Sequence, residues 1–257
     1  MNYFDFKGQV AVIFGASSGI GAATAVAYAE HGAKVVIVAR RLGKLEELKA
    51  KIEANGGEVL AIECDVISEE SVKNAVKKIK EVYGKVDILF NNAGIAQRGS
   101  VEQLTVDEWD YSMNVNVRSI MLTSKYILPM MKERKFGKIV NTTSINAVLF
   151  DKGDELTRHV YNASKAAVIG LTGAMGATYA KHGITVNSVG PGLFETEMTE
   201  NTLFAHEGFM NAYKMLNPVG RAGNMEEVVG VILFLSSPAS NYCVGEYIRV
   251  DGGLSRV

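Results

Sequence analysis

Short apolar runs alternate with helix-length stretches along the whole of this chain, and that alternation limits the possible folds more than any other feature. The runs cover residues 10–14, 34–38, 59–62, 86–90, 138–142, 184–189 and 246–250. Between them lie Ala-rich or charge-patterned stretches at 19–31, 42–54, 107–134, 160–181 and 225–235. A further helix is expected after Ser68-Glu69-Glu70, an N-cap followed by early acids. Strands buried on both faces read as continuous apolar runs, and helical crossovers make neighbouring strands parallel. The expectation is an α/β chain with a doubly wound parallel sheet of about seven strands, folded as one domain over residues 1–257. Residues 195–218 break the pattern, mixing apolar and polar side chains with weak period. Long insertions after a parallel strand commonly cover a ligand, so a lid is expected there.

The first apolar run leads directly into Gly15-Ala16-Ser17-Ser18-Gly19-Ile20-Gly21, which opens the first helical stretch. Glycines at such a turn let the backbone bend sharply and approach a pyrophosphate, while the helix start supplies amide donors and a positive dipole. The spacing differs from G-x-G-x-x-G, and glycine spacings are common in a chain with 26 glycines. Its place after a strand therefore carries the reading of a dinucleotide turn. The second run ends Val38-Ala39-Arg40-Arg41, with no carboxylate to hold a ribose 2′-hydroxyl. Arg40 offers a planar fork to a 2′-phosphate, Arg41 lies beside it, and Ser17 or Ser18 can add a hydroxyl, so NADP(H) is favoured over NAD(H).

Tyr161 and Lys165 lie one helical turn apart within the 160–181 stretch. There an ammonium can stand near a phenol and draw its pKa down from about 10. A second Tyr-x-x-x-Lys pattern, Tyr3 and Lys7, precedes the first strand in a stretch too short for a packed helix and reads as surface. With Ser144 upstream, the 161/165 pair suits hydride transfer to a carbonyl, whose oxygen gains charge and needs a proton donor and a fixed hydrogen bond. Tyr161 would be the acid in reduction and the base in oxidation, and Ser144 would donate to the substrate oxygen.

The bulk numbers exclude several alternatives. A length of 257 residues at 47% hydrophobic content supports one large core. A formal net charge of -1 leaves no electrostatic footprint for nucleic acid or an anionic membrane. Cys64 and Cys243 are too few for a disulfide framework and read as small buried hydrophobes in a reducing compartment. The four histidines lack metal-ligand spacing, and no metal is expected. The start lacks a signal-peptide pattern and no run approaches membrane-spanning length, so a cytoplasmic chain is expected.

The ordered set Gly15-x-x-x-Gly19-Ile20-Gly21, Asn91-Asn92-Ala93-Gly94, Ser144, Tyr161-x-x-x-Lys165 and Pro191-Gly192 resembles the short-chain dehydrogenase/reductase family over about residues 7–253. The resemblance implies a Rossmann-type fold and a catalytic tetrad of Asn116, Ser144, Tyr161 and Lys165. Asn116 would bend the 107–134 helix and hold a water linking Lys165 to solvent; Asn114 is a nearby competitor. By the same resemblance Asp65, followed by Val66, would contact the adenine, and Asn91 to Gly94 would floor the ribose site. Tyr161 and Lys165 would also meet the cofactor, alongside Pro191 and Gly192, and Thr196 would hold the nicotinamide carboxamide. A homotetramer is expected, because the 107–134 and 160–181 stretches carry apolar residues beyond one sheet-facing stripe and residues 247–253 resemble the family's edge-strand contact. Two departures stand out: Phe14 replaces the usual threonine before Gly15, and Ser144 and Tyr161 are 17 positions apart, a few more than usual.

Two stretches bear on the substrate. The polar stretch 151–159 suggests a hydroxylated or carboxylated small molecule: a sugar acid, a polyol or a bile-acid-like hydroxysteroid. Apolar residues within the lid region, Met198, Leu203, Phe204, Phe209, Met210, Tyr213, Met215 and Leu216, suggest a partly hydrophobic cover. A 3-oxoacyl-carrier-protein reductase is the alternative, since Lys132, Arg134 and Lys135 could face an acidic carrier. A non-catalytic nucleotide-sensing regulator could share the fold, yet it has no need for the tetrad.

Overall fold

The computed structural model describes residues 3–150, 153 and 157–257. Seven strands form one sheet in the order β3-β2-β1-β4-β5-β6-β7, and every pairing is parallel. They are β1 Val10–Phe14, β2 Lys34–Ala39, β3 Val59–Glu63, β4 Ile88–Asn91, β5 Gly137–Thr142, β6 Ile184–Pro191 and β7 Tyr247–Val250. The expected strands are all present, with ends displaced by one or two residues.

All five residues of β1 are buried because helices cover both faces. Ala11 and Ile13 pack into one core layer with Ala25 and Tyr28 of α1 (Gly19–Glu30) and Ile232 of α8 (Met225–Ser236). Val10, Val12 and Phe14 pack into the other layer, with Ile79 of α3 (Glu69–Tyr83) and Leu122 of α5 (Ser119–Arg134). Phe14 is thus a core residue. α3 shows how such a helix is specified. Ser68 accepts a hydrogen bond from the Ser71 amide, Glu69 and Glu70 occupy the first turn, and Gly84 ends it with φ of 69°. Val72, Ala75, Val76 and Ile79 form its buried stripe, at the spacing of one helix face.

The 107–134 stretch is not one continuous α-helix. α4 (Val106–Met113) gives way to a π-helical turn at Asn114–Arg118 before α5 begins. π-turns inside helices concentrate at functional sites, and this one contains Asn116. α2 (Leu42–Ala54) and α6 (His159–Tyr179) complete the regular covering helices.

The irregular reading of 195–218 requires correction. A π-helical turn, Glu200–Phe204, is followed by a full helix, α7, at Glu207–Leu216. Its Phe209, Tyr213 and Leu216 recur at helical spacing, but only Tyr213 is buried. The period is real and short, and the two polar turns before it dilute the signal.

Connections leave β1 and β4 in opposite directions across the sheet. Between their carboxyl ends a crevice opens, as in any doubly wound sheet. No helix among the described residues is long and apolar enough to cross a membrane. Tyr3 is exposed in a turn, so the second Tyr-x-x-x-Lys pattern is indeed a surface feature.

Candidate active site

A cleft of about 1620 Å³ follows the carboxyl ends of the strands. That exceeds the roughly 300–1,000 Å³ of a typical small-molecule pocket, leaving room for a dinucleotide together with a second molecule. Gly15, Ser17, Ser18, Gly19 and Ile20 line one end with Arg40, Arg41, Asp65 and Val66. Asn92, Ala93, Gly94, Pro191, Gly192 and Thr196 line its middle, and Ser144, Tyr161 and Lys165 the far end. Three sequence candidates do not line it: Gly21, Asn91 and Asn116.

Gly21 acts through packing. A Cβ there would sit 2.2 Å from the Gly15 carbonyl oxygen, so only glycine lets α1 start directly beneath the turn. Asn91 is correctly placed in the chain but faces away from the cleft. Its amide donates to Asn141 Oδ1 at 2.9 Å, and its carbonyl accepts from Thr123 at 2.7 Å. Asn92 takes the cleft-side position, donating to the Gly15 carbonyl at 2.9 Å and accepting from Thr142 at 3.1 Å.

A dinucleotide fits the first end on three counts. Gly15 has φ of 85°, and a Cβ there would meet Ala93 N at 2.5 Å, so the backbone is open only to glycine. Ser18 caps α1 without a side-chain bond, leaving first-turn amides available to an anion. Arg41 Nη2 donates to Ser17 at 2.9 Å and Ser18 at 3.2 Å, bringing a guanidinium and two hydroxyls together. Arg40 instead donates to the Tyr111 hydroxyl at 3.2 Å, so Arg41 is the arginine nearest the glycine turn. Asp65 accepts from the Ile67 amide at 3.2 Å, which orients its carboxylate at the end of β3.

At the other end α6 carries Tyr161 and Lys165, and the turn after β5 carries Ser144. The Tyr247 hydroxyl donates to the Ser144 carbonyl at 2.8 Å and anchors that turn. Burial pushes the Tyr161 phenol up; a hydrogen bond with Ser144 and the charge of Arg158 oppose it. Lys165 stands one helical turn further along α6. Its Nζ lies 5.8 Å from the Tyr161 ring centroid and donates to the Thr142 carbonyl at 2.9 Å. Burial pushes Lys165 itself down to about 8.

Asn116 sits behind this pair, fully buried. It accepts from the Ile95 amide at 2.9 Å and donates to the Ile95 carbonyl at 3.0 Å and to Ser164 at 2.9 Å. Gly94 lies between Asn116 and Lys165, where a Cβ would come within 3.2 Å of Asn116 Oδ1 and 3.3 Å of Lys165 Nζ. The π-turn is what aims Asn116 at this point. Asn114, the competitor, is not part of this network.

Residues that sequence reasoning did not single out also line the far end, among them Arg98, Asn146, Leu149 and Arg158. Arg158 stands three positions before Tyr161, inside the stretch flagged as polar, and that proximity was its only signal. His159 is exposed and accepts from the Val101 amide at 3.0 Å through Nδ1. Residues 151, 152 and 154–156, the rest of that stretch, lie outside the described residues. Cys64 is buried and Cys243 is half-buried, both as free thiols.

Comparison with known proteins agrees with this architecture. A family profile described as enoyl-(acyl carrier protein) reductase matches residues 15–255. An uncharacterised oxidoreductase of Bacillus subtilis is 40% identical over 254 residues, covering 96% of this chain and 91% of that protein. A 3-oxoacyl-[acyl-carrier-protein] reductase of Synechocystis is 36% identical over 250 residues, 96% of each. A gluconate 5-dehydrogenase from Burkholderia cenocepacia, solved in complex with NADP and tartrate, superposes with a TM-score of 0.94 at 33% identity. The superposition covers 100% of this chain and 98% of that one. The chain belongs to the short-chain dehydrogenase/reductase family, and it is an oxidoreductase of that class.

Proposed function

We propose that this protein is an NADP(H)-dependent oxidoreductase that interconverts a secondary alcohol and a ketone, with Tyr161 as general acid and base. The observation that carries the reading is the meeting of Tyr161, Ser144 and Lys165 at one end of a cleft whose other end is the Gly15 turn. When bound, the nicotinamide supplies or accepts the hydride. The chain's own residues handle the oxygen. In reduction, the Tyr161 hydroxyl gives its proton to the substrate oxygen, and Ser144 donates a hydrogen bond to the same atom. Lys165 holds a positive charge behind the phenol, and Asn116 fixes the backbone at Ile95 beside it. Pro191, Gly192 and Thr196 line the middle of the cleft and would hold the nicotinamide end.

The NADP preference rests on Arg41 with Ser17 and Ser18, and on the lack of an acid at Ala39-Arg40-Arg41. The gluconate 5-dehydrogenase solved with NADP supports it. For substrate, a sugar acid or polyol, or a hydroxysteroid of the bile-acid type, suits a cleft with polar groups near Tyr161 and apolar Met198, Leu203 and Phe209 opposite. A 3-oxoacyl thioester is the alternative that the Synechocystis relative raises. Residues 195–218 form the lid in this reading, the site takes no metal, and the partner is a small carbonyl or alcohol.

The test is turnover of NADPH and NADH against sugar acids, polyols, hydroxysteroids and acyl thioesters, with Tyr161→Phe in parallel. That variant keeps the ring and loses only the hydroxyl. It is expected to lose about 10²–10⁴-fold in kcat while retaining NADPH binding. Undiminished turnover in the variant overturns the role of Tyr161. Nicotinamide binding without turnover of any substrate would favour a nucleotide sensor.

A further inference from the structure

Arg158 is positioned by main chain, and among the described residues its buried Nε has no hydrogen-bond partner. It precedes α6 as the N-cap residue and pairs with Gly99 in a parallel bridge. The Gly99 amide donates to the Thr157 carbonyl at 2.9 Å, and the His159 amide donates to the Gly99 carbonyl at 3.1 Å. The guanidinium then lines the cleft beside Tyr161, near enough that its charge acts on the phenol.

A buried charged donor left unmet is unfavourable, and native structures rarely keep one without a use. Nε and an adjacent Nη form one of the two parallel forks through which arginine receives a carboxylate. Among the described residues, the side-chain carboxylates lining the cleft are Asp65 and Glu197. Both are engaged elsewhere, Asp65 by the Ile67 amide and Glu197 by Arg41. Arg98, exposed and adjacent to the bridged Gly99, lines the same cleft. The far end of the cleft therefore presents two arginines beside Lys165, and no described side-chain carboxylate there answers Arg158.

We infer that Arg158 is the specificity-determining residue of this site, receiving a carboxylate of the substrate in its Nε fork while Tyr161 meets the reacting oxygen. This rests on the hydride-transfer reading of Tyr161 and narrows it. The carboxylate and the carbinol carbon must belong to one small molecule, because Arg158 and Tyr161 face the same end of one cleft. Hydroxy- and oxo-carboxylic acids of the sugar-acid type meet both groups. A neutral polyol lacks the anion, and a 3-oxoacyl thioester presents none beside its reacting carbonyl.

Binding separates this inference from catalysis. Calorimetric titration of NADP-saturated protein with tartrate and gluconate, and with the neutral threitol and glucitol, reads the anion requirement without turnover. Wild type and Tyr161→Phe are expected to bind at least one of the acids. Arg158→Gln is expected to weaken that acid roughly tenfold or more, the loss of a charge-assisted pair, with partial recovery in Arg158→Lys. NADP affinity, thermal unfolding and any threitol or glucitol binding should match wild type in both variants. Acids that bind Arg158→Gln as tightly as wild type overturn the inference, as does an equal loss for the neutral partners. Failure of both acids to bind wild type overturns it as well. An acid that binds through Arg158 but is never oxidised would instead leave the carboxylate site standing and sink the hydride-transfer reading.

Discussion

Arg41 Nη2 lies 2.7 Å from Glu197 Oε2, so the second residue after β2 is tied to the chain that follows β6. The same nitrogen reaches Ser17 and Ser18. Hydrogen bonds from Arg41, then from Ser18, hold the Glu197 carboxyl below the usual carboxylate range. A 2′-phosphate at Arg41 must therefore compete with Glu197 for one guanidinium. Both side chains are about half exposed, so the pair is worth little by itself.

Removing the competing charge frees the arginine. Glu197→Gln is expected to tighten NADPH by about two- to fivefold, the range of an exposed ion pair, with NADH little changed. Fluorescence titration of both cofactors checks this. Equal changes for the two would place Glu197 outside the 2′-phosphate site.

Lys165 is expected to set a pH limit on reduction. Burial lowers its pKa to about 8, so below that value an ammonium stands behind Tyr161 and above it the charge is lost. Tyr161, raised by burial, keeps its proton through the same window. For carbonyl reduction, kcat/KM is expected to fall as pH rises through about 8. A reductive profile flat across that value would show that the charge on Lys165 is not used.

Lys138 tests the same physics without a catalytic role. It is buried at 2% exposure, its Nζ has no hydrogen-bond partner among the described residues, and burial pushes it down to about 8. A lysine whose pKa falls on folding holds its proton less tightly in the native state. Its penalty is full below pH 8 and disappears as pH rises toward the ordinary value of 10.5, so stability rises over that window. Lys138→Met should stabilise the protein at neutral pH by about 1–2 kcal/mol, in the lower part of the range for replacing a buried charge. It should also flatten the alkaline rise. Chemical denaturation at neutral and alkaline pH measures both, and a destabilised variant would mean the ammonium has a partner.

Residues 195–218, the proposed lid, should open easily. Of α7, only Tyr213 is buried, while Met215 and Leu216 are 84% and 65% exposed. A helix held by so little apolar contact opens at low free energy. Hydrogen exchange in residues 195–218 is expected to be fast in the free protein and slow with NADP and an acid substrate, as closure excludes water. Equal protection in both states would make the segment fixed structure.

Oligomeric state offers a further check. Val106, Tyr111 and Met121, on α4 and α5, are exposed apolar residues on one pair of consecutive helices. A homotetramer is expected, with light scattering as the measurement. A stable monomer at micromolar concentration would count against it.

Some of this was legible in the chain. Strand runs such as residues 10–14 are read directly, because a strand buried on both faces leaves no room for polar alternation. The glycine turn and the Tyr161–Lys165 pair are equally local, fixed by backbone freedom and by helix pitch. α7 was missed because its ten residues present one short apolar stripe. Asn91 and Asn92 could not be told apart, since successive residues at a strand end face opposite sides and no spacing says which side holds the cleft.

What the sequence by itself determined is the periodicity and the turn chemistry, and so the parallel sheet, its glycine turn and the set of polar residues at its carboxyl edge. These depend on interactions between residues close along the chain. What only the tertiary structure decided is how groups far apart in sequence share one environment. Arg41 meets Glu197 across 156 positions, Asn116 meets Ser164 across 48, and Arg158 is brought beside Gly99 with its Nε unanswered. Charge and solvation act through space, so the pKa of Lys165 and the unmet donor of Arg158 follow from burial, which no local pattern encodes.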